Sequence, residues 1–130
     1  MTMPRRLRVL IVDDNRDLVD MMAQVLTTDF HIVKGIYSAA TIAPDCIDFQ
    51  PDVVLMDIRM PGRDGWAAAS EIRSLCRGKP LTLIAVSGEY PQGVGSDWLK
   101  ASGFDHFLSK PADPNVLLRL VRALAEQAGE

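Results

Sequence analysis

The sequence predicts a single α/β domain, a parallel sheet with helices packed on both faces. Three observations carry this expectation. Short apolar runs recur along the chain, each ending in a small or charged residue; stretches with helical spacing separate them; and 130 residues suit one buried core but not two ordinary ones. Apolar residues make up 48% of the chain, enough to bury a core rather than remain disordered. The whole chain, 1–130 with a core over about 6–126, is therefore expected to be one domain.

The first run, Leu7 to Val12, ends at Asp13-Asp14. Continuous apolar runs of this length suit strands buried on both faces, as in a parallel sheet covered by helices. Leu18, Met21, Met22, Val25 and Leu26 then repeat at helical spacing and predict a helix with one buried face. The next run, His31 to Ile36, contains Lys34 and Gly35 and reads as an edge strand. Ala39 to Phe49 carries Pro44, which removes a backbone donor and crowds the preceding turn, so this helix should be short, kinked or start near the proline. Val53 to Met56 ends at Asp57, and Ala68, Ile72, Leu75 and Cys76 form the stripe of a third helix.

Leu81 to Val86 ends at Ser87. Pro91, Gly93 and Gly95 then argue that the fourth helical segment starts late, with Ser96 as cap, and covers only Asp97 to Ser102 in an irregular region. Phe104 to Leu108 ends at Ser109-Lys110. Asp113 can cap the closing helix, with Pro114 at its first position and Leu117, Leu120, Val121 and Leu124 as its buried stripe. Five strands alternating with five helical segments give a (βα)5 three-layer sandwich with right-handed crossovers. The strand order 2-1-3-4-5 is carried over from flavodoxin-like proteins rather than derived, and it sets the polar second strand at an edge.

The net charge of −3 offers no field for nucleic acid, and the one basic cluster is Arg5, Arg6 and Arg8. No apolar run approaches the roughly 20 residues that cross a bilayer, and the polar start lacks a signal-peptide pattern, so no membrane contact and a cytoplasmic location are expected. Cys46 and Cys76 are isolated from any metal-binding spacing and read as reduced, structural thiols. His31 and His106 read as surface or strand-edge residues.

In an open parallel sheet, ligands bind beyond the carboxyl ends of the strands. Those ends carry Asp13, Asp14, Asp57, Ser87 and Lys110. Three carboxylates gathered there repel one another, and a cation among them is the simplest remedy. An all-oxygen site with few protein ligands suits Mg²⁺, with Mn²⁺ as a substitute. A carboxylate could then attack phosphorus, with Lys110 and the Ser87 hydroxyl contacting phosphoryl oxygens. An isolated Asp13-Asp14 pair could equally cap the first helix; only the combination with Asp57 and Lys110 favours a site.

Four segments carry a family resemblance: RVLIVDDN (Arg8 to Asn15), PDVVLMDIRMPGRDGW (Pro51 to Trp66), AVSGE (Ala85 to Glu89) and GFDHFLSKP (Gly103 to Pro111). They resemble the signature blocks of response-regulator receiver domains, and the resemblance runs the length of the chain. It implies a signalling switch rather than a turnover enzyme. Asp57 would accept phosphate from a histidine kinase or histidine phosphotransfer protein, with autophosphorylation and slow autodephosphorylation. Asp14, Asp57 and the backbone carbonyl of Arg59 would bind Mg²⁺ directly, and Asp13 largely through water. Ser87 and Phe107 would act as a coupled switch that alters the surface of the fourth helix, fifth strand and fifth helix, read by an unknown downstream protein. Pro111 would follow a cis peptide that turns Lys110 into the site, and Arg59 and Glu89 would modulate dephosphorylation by pairing across its mouth. Receivers also pair through the fourth-helix to fifth-helix face, so dimerisation is open, although Pro91, Gly93 and Gly95 depart from the family there. The chain stops soon after the closing helix, which predicts no output domain: a stand-alone receiver or one cut from a larger regulator.

Three rivals remain. A haloacid-dehalogenase-type phosphohydrolase needs an Asp-x-Asp pair after the first strand, where Asp13 and Asp14 are adjacent. A flavodoxin-like FMN carrier needs a phosphate loop where Asp13-Asp14-Asn15 stands. A pseudo-receiver acting only as a docking surface has no use for a complete acidic site.

Overall fold

The computed structural model of the chain describes residues 4–60, 63–76, 78–88 and 103–129. Over these it contains β1 (Arg8–Val12), α1 (Arg16–Thr28), β2 (Ile32–Ile36), α2 (Ile42–Phe49), β3 (Val53–Asp57), β4 (Arg59–Met60), β5 (Arg63–Asp64), α3 (Gly65–Leu75), β6 (Thr82–Ser87), β7 (His106–Ser109) and the closing helix α4 (Pro114–Gly129). Five parallel strands form one sheet in the order β2-β1-β3-β6-β7. This is the predicted 2-1-3-4-5 order of a single α/β domain, with the more polar β2 at one edge. The predicted fourth helical segment, with Pro91, Gly93, Gly95 and its Ser96 cap, lies outside the described residues.

Successive side chains of a strand face opposite sides of a sheet, and here both sides are buried. Val9, Ile11, Val53, Leu55, Ile84 and Val86 pack with Val19, Met22 and Leu26 of α1 and Leu117 and Val121 of α4. The intervening Leu10, Val12, Val54, Met56, Leu83 and Ala85 pack with Ile42 and Cys46 of α2 and Ala68, Ala69 and Ile72 of α3. Two cores on one sheet make three layers, which explains why the central strands read as continuous apolar runs.

The local signals act where the sequence sets them. Asn15, rather than Asp13 or Asp14, caps α1: its side chain accepts the Leu18 amide at 3.1 Å. Pro44 is tolerated as the third residue of α2, because the first-turn amides of a helix have no intrahelical partner. Asp113 accepts the Asn115 amide at 2.8 Å at the start of α4.

Three details differ from the sequence reading. Leu75, placed in the buried stripe of α3, is exposed at the helix end, and Ala69 is buried instead. The two-residue antiparallel pair β4 and β5 was not anticipated; it folds the chain back so that the Gly65 amide reaches the Ile58 carbonyl at 3.1 Å. His31, expected at the surface, is buried just before β2, where its Nδ1 accepts the Leu7 amide at 3.1 Å.

The opposite pole of the sheet is tied by charged groups. Buried Asp52 accepts the Arg8 amide at 2.8 Å and lies 3.5 Å from Arg5 and 3.4 Å from Lys79. Arg73 of α3 donates to the carbonyls of Leu81 and Gly103 and to Asp105, which also accepts the Leu83 amide. These bonds fix the starts of β6 and β7, and so the register that delivers Ser87 and Lys110.

Candidate functional site

β1 and β3 are register partners, with Val12 opposite Met56. Asp13 therefore follows the end of β1 where Asp57 ends β3, and the two carboxylates come together from segments far apart in sequence. One oxygen of each of Asp13, Asp14 and Asp57 lies within 4.8 Å of the others. Asp13 and Asp57 are almost fully buried, whereas Asp14 is exposed at the mouth.

Each buried carboxylate is oriented by the amide two residues on. Asn15 N donates to Asp13 Oδ1 at 3.0 Å, and Arg59 N donates to Asp57 Oδ1 at 2.9 Å. This local turn is a habit of aspartate side chains. It leaves the Oδ2 atoms facing one another across the site, where Lys110 Nζ sits 2.9 Å from Asp13 Oδ2 and 3.0 Å from Asp57 Oδ2. Asp13 Oδ2 is buried and has no aligned hydrogen bond among the described residues, so its contact with Lys110 is an ion pair.

Lys110 arrives by continuation of the sheet. Ser87 and Ser109 are register partners, and the Lys110 amide donates to the Ser87 carbonyl at 2.9 Å. The Lys110-Pro111 peptide is cis. Burial opposes the charge on this ammonium, but its close contacts with the Asp13 and Asp57 carboxylates outweigh it and hold the pKa above the ordinary lysine value.

The donor set fits a divalent cation of the hard, oxygen-preferring kind. Three carboxylates facing one ammonium leave an excess of two negative charges, and an all-oxygen cluster suits Mg²⁺ or Mn²⁺ rather than a soft metal. Asp13 Oδ2 is a buried acceptor with lone pairs to spare. Asp13, Asp14 and Asp57 could hold the ion, and the Arg59 amide is bonded to Asp57 beside them.

Ser87 is buried at the end of β6, one residue beyond the partner of Asp57, so it lies on the rim of the same site. Phe107 is half-buried on β7 opposite Ala85 and packs on the α2 and α3 side of the sheet. Five of the sequence-derived residues, Asp13, Asp14, Asp57, Ser87 and Lys110, thus gather at one pole. Glu89 lies outside the described residues, and with it the expected pairing to Arg59. Sequence reasoning missed that Asn15 belongs to this pole both as helix cap and as the amide that orients Asp13; the signal was an asparagine just before the helical stripe.

The cysteines take no part. Cys46 is buried, and burial pushes its thiol up to about 12; Cys76 is half-buried with its thiol raised by burial too. Neither is a ready thiolate at neutral pH. Among the described residues no helix is long and apolar enough to cross a membrane.

Comparison with known proteins bears on the family and the fold. The family model for the response regulator receiver domain matches residues 9–122. An uncharacterized 14.6 kDa protein in the sodA1 3′ region of Leptolyngbya boryana is 31% identical over 121 residues, covering 88% of this chain and 86% of that protein. The response regulator PleD of Caulobacter vibrioides is 30% identical over 122 residues, covering 90% of this chain but only 26% of PleD. Among solved structures, a CheY-like response regulator receiver domain protein from Methanospirillum hungatei has a TM-score of 0.82 at 24% identity, covering 94% of this chain and 95% of that one. That last likeness is one of fold.

Proposed function

The chain belongs to the family of response-regulator receiver domains, and from that membership we propose that it is a phosphorylatable switch of two-component signalling, with Asp57 as the phosphoacceptor. One observation carries the proposal most strongly. The Asp57 carboxylate ends a central strand, oriented by the Arg59 amide on one oxygen and the Lys110 ammonium on the other, with Asp13 and Asp14 beside it.

In this reading an Asp57 oxygen attacks the phosphorus of a phosphohistidine on a histidine kinase or phosphotransfer protein. A phosphorus–oxygen bond forms as the phosphorus–nitrogen bond breaks, and the imidazole departs to take up a proton. Asp13, Asp14, Asp57 and the Arg59 carbonyl would hold Mg²⁺, and the bound ion would supply charge neutralisation for the transferring phosphoryl oxygens. Lys110 exchanges its contact with the Asp57 carboxylate for one with a phosphoryl oxygen, remaining against Asp13. Its raised pKa keeps it charged throughout the neutral range.

The Ser87 hydroxyl donates to another phosphoryl oxygen and moves toward it. Phe107, on the neighbouring strand, turns inward, and the altered surface around β7 and α4 is what a downstream protein reads. Arg59 and Glu89 restrict attack by water on the acyl phosphate. The protein works in the cytoplasm, where such kinases present their phosphohistidine.

A phosphohydrolase with the same nucleophile is the reading to separate. Given small phosphate esters and Mg²⁺, the protein should show little or no turnover, while acetyl phosphate should load one phosphoryl group per chain. Sustained hydrolysis of the esters over many turnovers would overturn the switch in favour of an enzyme.

A further inference from the structure

At the pole opposite Asp57, a cavity of about 410 Å³ opens between the segment leading into β1, the junction of α1 and β2, and the end of α4. That volume falls within the range of about 300–1,000 Å³ typical of small-molecule sites. Its walls are mostly apolar, with Pro4, Phe30 and Ala125 among them, and Arg6 and Arg122 also line it.

Both arginines are tethered in a way that preserves donors. Arg6 Nε donates to the Phe30 carbonyl at 2.7 Å, and Arg122 holds Asp29 through Nε and one terminal nitrogen, both at 3.0 Å. Among the described residues, these bonds leave the terminal nitrogens of Arg6 and one of Arg122 unused. A guanidinium anchored at one edge loses little freedom when its other edge takes an oxyanion.

Phe30 supplies an independent observation. Its side chain is 81% exposed, and its backbone holds a left-handed φ of 73°, which a residue with a Cβ adopts only at a cost. An exposed ring on strained backbone adds nothing to either core. It does form a wall of the cavity.

Charge narrows the ligand. Arg5, Arg6 and Arg122 line the cavity against the carboxylates of Asp29 and Glu126; Arg122 pairs with Asp29, and Arg5 reaches Asp52, a carboxylate it shares with Lys79. One positive charge in excess suits a monoanion and disfavours a phosphate dianion. We infer that this cavity is a second binding site, for a small carboxylic acid with a compact apolar or aromatic body. The carboxylate meets the terminal nitrogens of Arg6 and Arg122, and the body lies against Phe30, Pro4 and Ala125.

The test uses the full chain, isotope-labelled, titrated with phenylacetate and separately with its uncharged analogue phenylacetamide, and followed by amide chemical shifts. Phenylacetate should produce saturable shifts at Arg5, Arg6, Phe30, His31 and Ala125, and phenylacetamide none. Arg6→Gln should weaken binding about tenfold. Phe30→Gly should weaken it comparably while melting at an equal or higher temperature, because glycine relieves the strain. Labelling of Asp57 by acetyl phosphate should be unchanged in both variants, which separates this site from the proposed phosphorylation. Shifts that do not saturate, an equal response to phenylacetamide, unaltered affinity in Arg6→Gln, or a lower melting temperature in Phe30→Gly would each overturn the inference.

Discussion

Lys110 sets one positive charge against three carboxylates, touching two of them directly. It therefore stabilises the cluster without a metal and competes with a metal for it. Replacing it with methionine should tighten Mg²⁺ binding by roughly tenfold, since the excess negative charge rises, yet depress phosphoryl uptake. Calorimetric titration of Mg²⁺ into Lys110→Met checks the first half; weaker binding would contradict the charge argument. His31 makes a different prediction. Burial holds its pKa below the ordinary 6.5, and the nearby Arg122 and Arg6 reinforce this against the pull of Asp29. The folded protein thus keeps the ring neutral, with Nδ1 accepting the Leu7 amide, while the unfolded chain takes up a proton near 6.5. Stability from this group is present above that pH and is lost as pH falls through the lowered folded value. Urea unfolding at about pH 7.5 and about pH 5.5 should show a loss that His31→Gln reduces.

Among the elements, the turn from β3 into α3 governs the site most closely. A Cβ added at Gly65 would lie 2.6 Å from the Ile58 Cα and carbonyl oxygen, backbone atoms that cannot rotate away. Gly65→Ala should cost on the order of 1–3 kcal/mol and lower phosphoryl uptake further, because Ile58 joins Asp57 to Arg59. Asn15→Ala should cost about 1 kcal/mol through the lost cap, with denaturant midpoints as the measure of both. The sheet was legible because β1, β3 and β6 are buried on both faces and so appear as unbroken apolar runs, each stopping at a polar residue that belongs to the site. The pair β4 and β5 was not legible, since two residues are too few to show a period. Leu75 misled because its spacing continues the stripe of α3 while the helix ends there, turning it outward. His31 misled because its burial depends on a bond to Leu7, 24 residues away, which no local pattern records.

On the scale of the whole molecule, the three layers hold two poles apart: acidic groups at the carboxyl ends of the strands, and an arginine-lined cavity at the other. The acidic pole was readable from residues at strand ends once the order of strands was assumed, whereas the cavity arises from packing between β1, β2 and α4 segments that no motif marks. A cation bound only by the folded state stabilises it by mass action, by about 2.7 kcal/mol at a hundredfold excess over Kd. Mg²⁺ should therefore raise the melting temperature, chelation should reverse the rise, and Asp14→Asn should diminish it. Whether Asp57 is the phosphoacceptor is decided by the intact mass of the protein after incubation with acetyl phosphate and Mg²⁺, beside Asp57→Asn treated alike. The native chain should gain one phosphoryl group and the variant none; an unmodified native mass, or equal labelling of Asp57→Asn, would rule Asp57 out.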